Sequence, residues 1–295
     1  MKNDPCYTLC VVWCVNSELQ KQVTPFLRFL EDRFRAKIQF DRYVLSYSGG
    51  KDSHFLYWFI KEWMKDNTIE IVGVNTSFEI HSIRDRILQN SDTVLHPSMN
   101  RWEIKERFGI PCFSKQQDEY IHRYQTGSRT ENTMKAVMGA TTFGLNQTAR
   151  KLLLSGELHK VSNKCCYYNK ELPMIRYERE TGKKAIIGVR QSEGRTRRAK
   201  YTSCMRTNGN FTPIYDFSDV LMEDIYKAFD IEVPKIYAYV CRTGCAGCPY
   251  GRNCETELSL LPELQRQAAV KYFKESYDVK NVDYRNIQMT LRLKR

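Results

Sequence analysis

Apolar residues along this chain gather into short runs divided by polar turns, and the lengths of the runs separate strands from helices. Tyr43 to Tyr47 predicts a short strand. After a glycine-rich polar step, the run His54-Phe55-Leu56-Tyr57-Trp58-Phe59-Ile60 predicts a helix to about Lys65. Ile69 to Val74 is apolar on both faces, as a buried parallel strand is. Asp92 to Leu95 reads as a third, short strand, followed by a Trp102–Phe108 helix that stops at Gly109. Strand, loop, helix and strand in this order predict right-handed βαβ connections in an α/β protein with a mainly parallel, twisted sheet flanked by helices.

Residues 114–155 read as mostly helical, with turns near Gly127 and Gly144, and Lys184 to Val189 as another strand. Ser218 suits the N-cap of a helix ending near Phe229, and a last helix covers about Glu257–Ser276. Residues 1–42 form a leader with a helix from Pro25 to Arg35, on which Phe26, Phe29, Leu30 and Phe34 share a side. Cys6, Cys10 and Cys14 recur every four residues in an apolar stretch whose Val-Val-Trp content suggests a strand. Three regions are expected: the leader, a main domain over 43–230, and a cysteine-rich C-terminal lobe over 231–295.

With 42% hydrophobic and 27% charged residues the chain is too apolar for disorder, and no apolar run nears the roughly 20 residues that cross a bilayer. The Tyr7–Val15 run lacks a small-residue cleavage site after it, so the chain reads as cytoplasmic, with no membrane partner. Eleven cysteines are an odd number and are many for that compartment, which points to metal, cluster or redox chemistry before disulfides. The net charge of +12 favours a polyanionic partner, and the basic residues cluster at Arg195, Arg197, Arg198 and Lys200 and again at Arg292, Lys294 and Arg295.

Between the first strand and its helix lies Ser48-Gly49-Gly50-Lys51-Asp52-Ser53. Two glycines let backbone amides converge, and a helix N-terminus adds unpaired N–H donors and a positive dipole. Ser48, Ser53 and the Lys51 ammonium can touch phosphate, while Asp52 orients the loop or holds Mg²⁺. The spacing is not the Walker pattern. It resembles the PP-loop, Ser-Gly-Gly-x-Asp-Ser, of the N-type ATP pyrophosphatases. That resemblance implies an adenine nucleotide alpha-hydrolase-like fold and cleavage of ATP between its α and β phosphates.

Cys165-Cys166 is an adjacent pair and Cys245-Ala246-Gly247-Cys248 is a CxxC. A CxxC suits zinc, a thiol–disulfide redox pair or an iron–sulfur cluster, unmetallated thiols stay open, and Cys241 and Cys254, which flank the CxxC, are alternative ligands. Lys164-Cys165-Cys166 with Lys170 and Pro173, and Arg242-Thr243-Gly244-Cys245-Ala246-Gly247-Cys248-Pro249, resemble the [4Fe–4S] motifs of assimilatory adenylylsulfate reductases. Gly188 to Arg197 is similar to that family's Gly-x-Arg-x-x-Glu-Ser-x-x-Arg, with Gly194 in place of the serine. Thr212 to Val220 is similar to its Pro-Ile-x-x-Trp-x-x-x-Asp-Val, with Phe217 in place of the tryptophan. The resemblance implies a cluster on Cys165, Cys166, Cys245 and Cys248, and anion-binding roles for Arg190 and Arg197.

Those reductases attack sulfur with a cysteine in a C-terminal Glu-Cys-Gly-x-His segment, and here no cysteine follows Cys254. Cys112, Cys204 and Cys254 are the available substitutes. The basic balance and the missing cysteine resemble the DndC- and SspD-like proteins of DNA phosphorothioation. Three readings follow: an ATP pyrophosphatase that activates nucleic acid, DNA before tRNA, for sulfur transfer from a cysteine desulfurase or another donor; a sulfonucleotide reductase; and a nucleotide-binding subunit without turnover. In the first, Lys51, Asp52, Arg190 and Arg197 are the catalytic set.

Overall fold

The computed structural model describes residues 5–76, 78–240, 243–251 and 254–285, with side chains from residue 16 onward except those of Arg195 and Thr196. Its sheet has four strands: β1 (Tyr43–Tyr47), β2 (Glu70–Val74), β3 (Thr93–Leu95) and β4 (Lys184–Ile186). Their order is β3-β2-β1-β4, and β1 runs parallel to both neighbours, with Val44 opposite Glu70 on one side and Ala185 on the other. This is an α/β arrangement consistent with a Rossmann-like fold. Val44, Leu45, Ile71 and Val72 are fully buried, which is why the strands read as continuous apolar runs.

By contacts the chain resolves into two compact units that interleave in sequence. The first comprises Met1–Gly73, Asp85–Val94 and Arg176–Pro234 and carries nearly all of the sheet. Its long helix, Pro5–Lys37, contains the segment that sequence assigns to a strand at Cys6–Cys14, and it begins far ahead of Pro25. Once a helix is nucleated, adding residues costs little, so β-branched content alone does not stop it. Pro25 lies inside and leaves the Lys21 carbonyl without its usual donor. Val23, Leu27, Leu30 and Phe34 form its buried stripe, worth roughly 1.5–3 kcal/mol for each large side chain. The helix Asp219–Ala228 packs on it, capped by Ser218, whose side chain accepts from Leu221 N. β4 is shorter than the run Lys184–Val189 suggests, because Ile187 N turns away to the Phe211 carbonyl at 2.8 Å.

The second unit comprises Val74–Arg84, Leu95–Ile175 and Lys235–Arg295. Helices Arg101–Phe108, Lys115–Gln125, Glu131–Val137 and Gln147–Ser155 follow the sequence expectation, and Gly109 ends the first. Cys112, Ile121, Val137, Leu145 and Ala149 lie in its core. The expected helix over 257–276 is two helices, Cys254–Leu260 and Glu263–Lys280, because Pro262 cannot continue the first and stands at the N-cap of the second. No described helix is long and apolar enough to cross a membrane.

Candidate functional site

The first candidate site lies in the first unit, where β1 gives way to the helix Lys51–Trp58. In this sheet order β1 has β2 on one side and β4 on the other, so the crossovers leave a crevice outside its carboxyl end. Ser48–Ser53 occupies that position. Gly49 takes φ +69°, a left-handed conformation that a side chain would strain. Gly50 is the N-cap and contributes no side chain to the first helical turn, leaving that turn to backbone donors. Ser48 is exposed. Ser53 is buried; its hydroxyl donates to the Gly50 carbonyl at 3.0 Å and lies 3.0 Å from Ser48 Oγ. Ser48 N donates to it at 3.2 Å. Ser53 thus braces the loop from inside.

Arg190, which follows β4, is brought to this loop. Its Nε donates to Asp52 Oδ1 at 2.9 Å, and its Nη1 to Asp219 Oδ1 at 2.5 Å and Ser192 Oγ at 3.0 Å. Ser192 Oγ also donates to Asp219 Oδ1 at 3.1 Å. Burial disfavours an ionised Asp219, but the hydrogen bond and charge of Arg190 outweigh it and hold the carboxyl below its ordinary range. Arg197 pairs with Glu193, whose Oε2 accepts from Arg190 N at 3.2 Å, so this second arginine reaches Arg190 through a carboxylate. Tyr226 Oη donates to the Lys51 carbonyl at 2.6 Å.

Two contributors lie within the quoted motifs without a role assigned to them there. Asp219 lies a long way along the chain from Asp52, and only its place in the Asp-Val segment marks it. Gly188 matters for what it lacks: a Cβ there would stand 2.8 Å from Asp52 C and 2.9 Å from Ser53 N. Behind the loop, Tyr47 Oη meets His54 Nδ1 at 2.8 Å and accepts from Asn90 Nδ2 at 3.1 Å. Burial lowers the His54 pKa to about 4, so the imidazole is neutral at physiological pH.

The second candidate site lies in the second unit. Cys165, Cys166, Cys245 and Cys248, all expected as a set, line one cavity walled by Phe78, Tyr272 and Phe273. Cys165 and Cys166 belong to the short helix Lys164–Cys166, which continues through a π-helical turn at Tyr167–Glu171 into Leu172–Thr181. Such wide turns recur at functional sites. This one carries Asn169, whose side chain donates to the Cys165 carbonyl at 2.9 Å, and Lys170. Cys248 N donates to the Cys245 carbonyl at 3.0 Å, closing the CxxC turn. Gly247 within it has φ +66° and would press a Cβ against Leu258 and the Tyr277 hydroxyl.

Lys170 Nζ lies 3.1 Å from Glu79 Oε1. Glu79 is itself held by Thr76 Oγ1 at 2.9 Å and is paired in an isolated bridge with Cys245. Sequence reading misses Glu79 because no local pattern marks it. Burial pushes the Cys245 thiol to about 11, although Lys170 pulls it down. Cys165 donates toward Cys166, which raises the former and makes the latter the easier of the two to ionise. Cys254 is buried and turned aside, its sulfur 3.6 Å from the Gly247 carbonyl. Cys241 and the basic residues 292–295 lie outside the described residues. Among the described residues, no three His, Cys, Asp or Glu side chains stand close enough to hold a single ion.

No protein-family model matches the sequence, and no curated protein matches it.

Proposed function

We propose that the chain is an ATP pyrophosphatase of the PP-loop type that activates nucleic acid for sulfur transfer, the DNA backbone before tRNA, with a cysteine desulfurase or similar donor supplying the sulfur. The observation that carries this reading is the loop Ser48–Ser53 at the carboxyl end of β1, with Arg190 bonded to Asp52 beside it. Backbone amides at the start of the helix hold the phosphate tail, and Lys51 adds charge. Arg190 stands where negative charge grows as pyrophosphate leaves, and Arg197 supports it through Glu193. Asp52 and Asp219 both accept from the Arg190 guanidinium, and Mg²⁺ bound with the phosphates would take one or two carboxylates, Asp52 first among them.

The cysteine quartet fits a [4Fe–4S] cluster. Four sulfurs converge on one apolar-walled cavity, and burial makes a bare thiolate at Cys245 costly without a compensating cation. Around one zinc, with bonds of about 2.3 Å, four sulfurs crowd together, whereas a cube spreads them over separate corners. When bound, the cluster supplies electron or sulfur exchange, or a brace. The residues' own task is to hold it: Cys165, Cys166, Cys245 and Cys248 as ligands, with Lys170 and Glu79 fixing the charge around them.

The reductase reading is left with half-buried Cys204 of its three substitute cysteines. Burial pushes Cys112 to about 12 and Cys254 to about 11, so neither is a ready nucleophile. The test is anaerobic protein incubated with ATP, and separately with adenylylsulfate and thioredoxin. AMP and pyrophosphate release, lost in Lys51→Ala while iron content is kept, is the expected result. Sulfite release instead would favour the reductase, and release of neither would favour a subunit without turnover.

A further inference from the structure

Within the second unit, helix Arg101–Phe108 presents Trp102 with 41% of its surface exposed. Three cationic groups surround the indole: Arg101 at 5.9 Å from the ring centroid, and Lys105 and Lys271 each at 5.7 Å. None of them lies at stacking distance. Elsewhere in this molecule a guanidinium does cover a ring, as Arg129 covers Tyr124 at 3.7 Å. Around Trp102 the charges stand back from the ring, which is 41% exposed and lies within reach of three cations.

Its inner neighbour is Tyr272, edge-on at 5.3 Å, whose ring also lines the cysteine cavity. Tyr272 Oη donates to the Arg101 carbonyl at 3.0 Å, and Lys105 Nζ donates to the Tyr272 carbonyl at 2.8 Å and pairs with Glu275 at 2.9 Å. The platform is therefore fixed to the wall of the cavity.

We propose that Trp102, with Arg101, Lys105 and Lys271 about it, is a stacking platform for an unpaired base of a single-stranded nucleic acid. Every base has a π face that an indole can accept, and the phosphates on either side need cations a few ångströms beyond the ring. A duplex hides its base faces and does not fit. An acidic peptide would use the cations and leave the indole idle. The inference rests on the nucleic-acid part of the function proposed above and does not need ATP to be split.

The test uses the full-length protein, purified anaerobically, with a fluorescein-labelled oligothymidylate read by anisotropy. The expected result is binding that weakens about 5- to 100-fold in Trp102→Ala and is mostly recovered in Trp102→Phe. In Lys271→Gln the salt dependence should drop by about one unit of slope. Equal affinity in Trp102→Ala, no binding by the parent, or competition by duplex or polyglutamate as effective as by single strand would each overturn the proposal. Thermal unfolding of each variant shows whether it is folded; if Trp102→Ala is not, the Lys271 slope decides. ATP cleavage without nucleic acid should be the same in Trp102→Ala and parent. Trp102-dependent binding in a protein that never releases pyrophosphate would leave the platform standing while removing the enzymatic reading.

Discussion

Arg190 donates its Nε–H to Asp52 Oδ1 at 2.9 Å, joining the strap that follows β4 to a loop more than a hundred residues earlier. Both side chains are nearly buried, and the guanidinium also holds Asp219. In Arg190→Gln, pyrophosphate release should fall on the order of 10²–10³-fold, the usual consequence of removing a donor aimed at developing charge. Stability should drop as well, because Asp52 and Asp219 both lose the guanidinium that they share. Unchanged turnover, measured beside a urea melt, would remove Arg190 from the catalytic set.

Gly188 separates the loop's packing from its charges. An added methyl would meet the Asp52 and Ser53 backbone at under 3 Å, so Gly188→Ala must move the loop itself. We expect a loss of about 1–3 kcal/mol in stability and a clear loss of ATP affinity. Gly244→Ala is the control, since nothing lies within 4 Å of its Cβ position. Calorimetric titration with a non-hydrolysable ATP analogue compares the two; equal affinities would mean that the close approach at Gly188 has no functional weight.

His54 should make the first unit sensitive to acid. Its folded pKa, about 4, is below the ordinary 6.5, so between those values the unfolded chain binds a proton that the folded one refuses. Stability therefore falls as pH drops from 6.5 toward 4, by about 3 kcal/mol from this group. His54→Asn should flatten that part of the pH profile of urea midpoints. A slope unaltered by the substitution would show that the acid sensitivity comes from other groups.

Glu257 works in the opposite direction. Burial raises it to about 7 from 4.5, so the unfolded chain releases its proton first and stability falls as pH rises through that window. Glu257→Gln should accordingly be more stable than the parent at pH 8 and about equal to it at pH 4. A destabilised Glu257→Gln at pH 8 would mean that the carboxylate has a partner worth more than its burial cost.

The cysteines divide cleanly by position. Iron and acid-labile sulfide should be lost on Cys165→Ala, Cys166→Ala, Cys245→Ala or Cys248→Ala, whereas Cys254→Ala, with its sulfur turned to the Gly247 carbonyl, should retain both. Retention of full iron in Cys245→Ala would contradict the quartet.

What the sequence makes legible here is local. The strands Tyr43–Tyr47 and Glu70–Val74, the glycine step after the first and the Ser218 cap are each written in a few consecutive residues. The π-helical turn at Tyr167–Glu171 is not, because its register is set by packing around Asn169 rather than by any propensity. Nor do the pairings of Arg190 with Asp219 and of Lys170 with Glu79 leave a spacing to read, since each joins separate segments. At the N-terminus, β-branched residues misdirect: intrinsic preferences of under about 1 kcal/mol per residue yield to the cooperativity of a long helix. The expectation of one helix over 257–276 gives too little weight to Pro262, which outweighs the apolar period on either side of it.

The interleaving of the two units has a consequence for biosynthesis. Cys165 and Cys166 leave the ribosome well before Cys245 and Cys248, which belong to a later segment of the same unit. For that interval a thiol pair waits without its partners, open to oxidants and to any stray soft metal. A cluster of the kind proposed can be loaded only once Cys248 has been made, and a chain terminated between the two pairs carries half of the proposed ligand set.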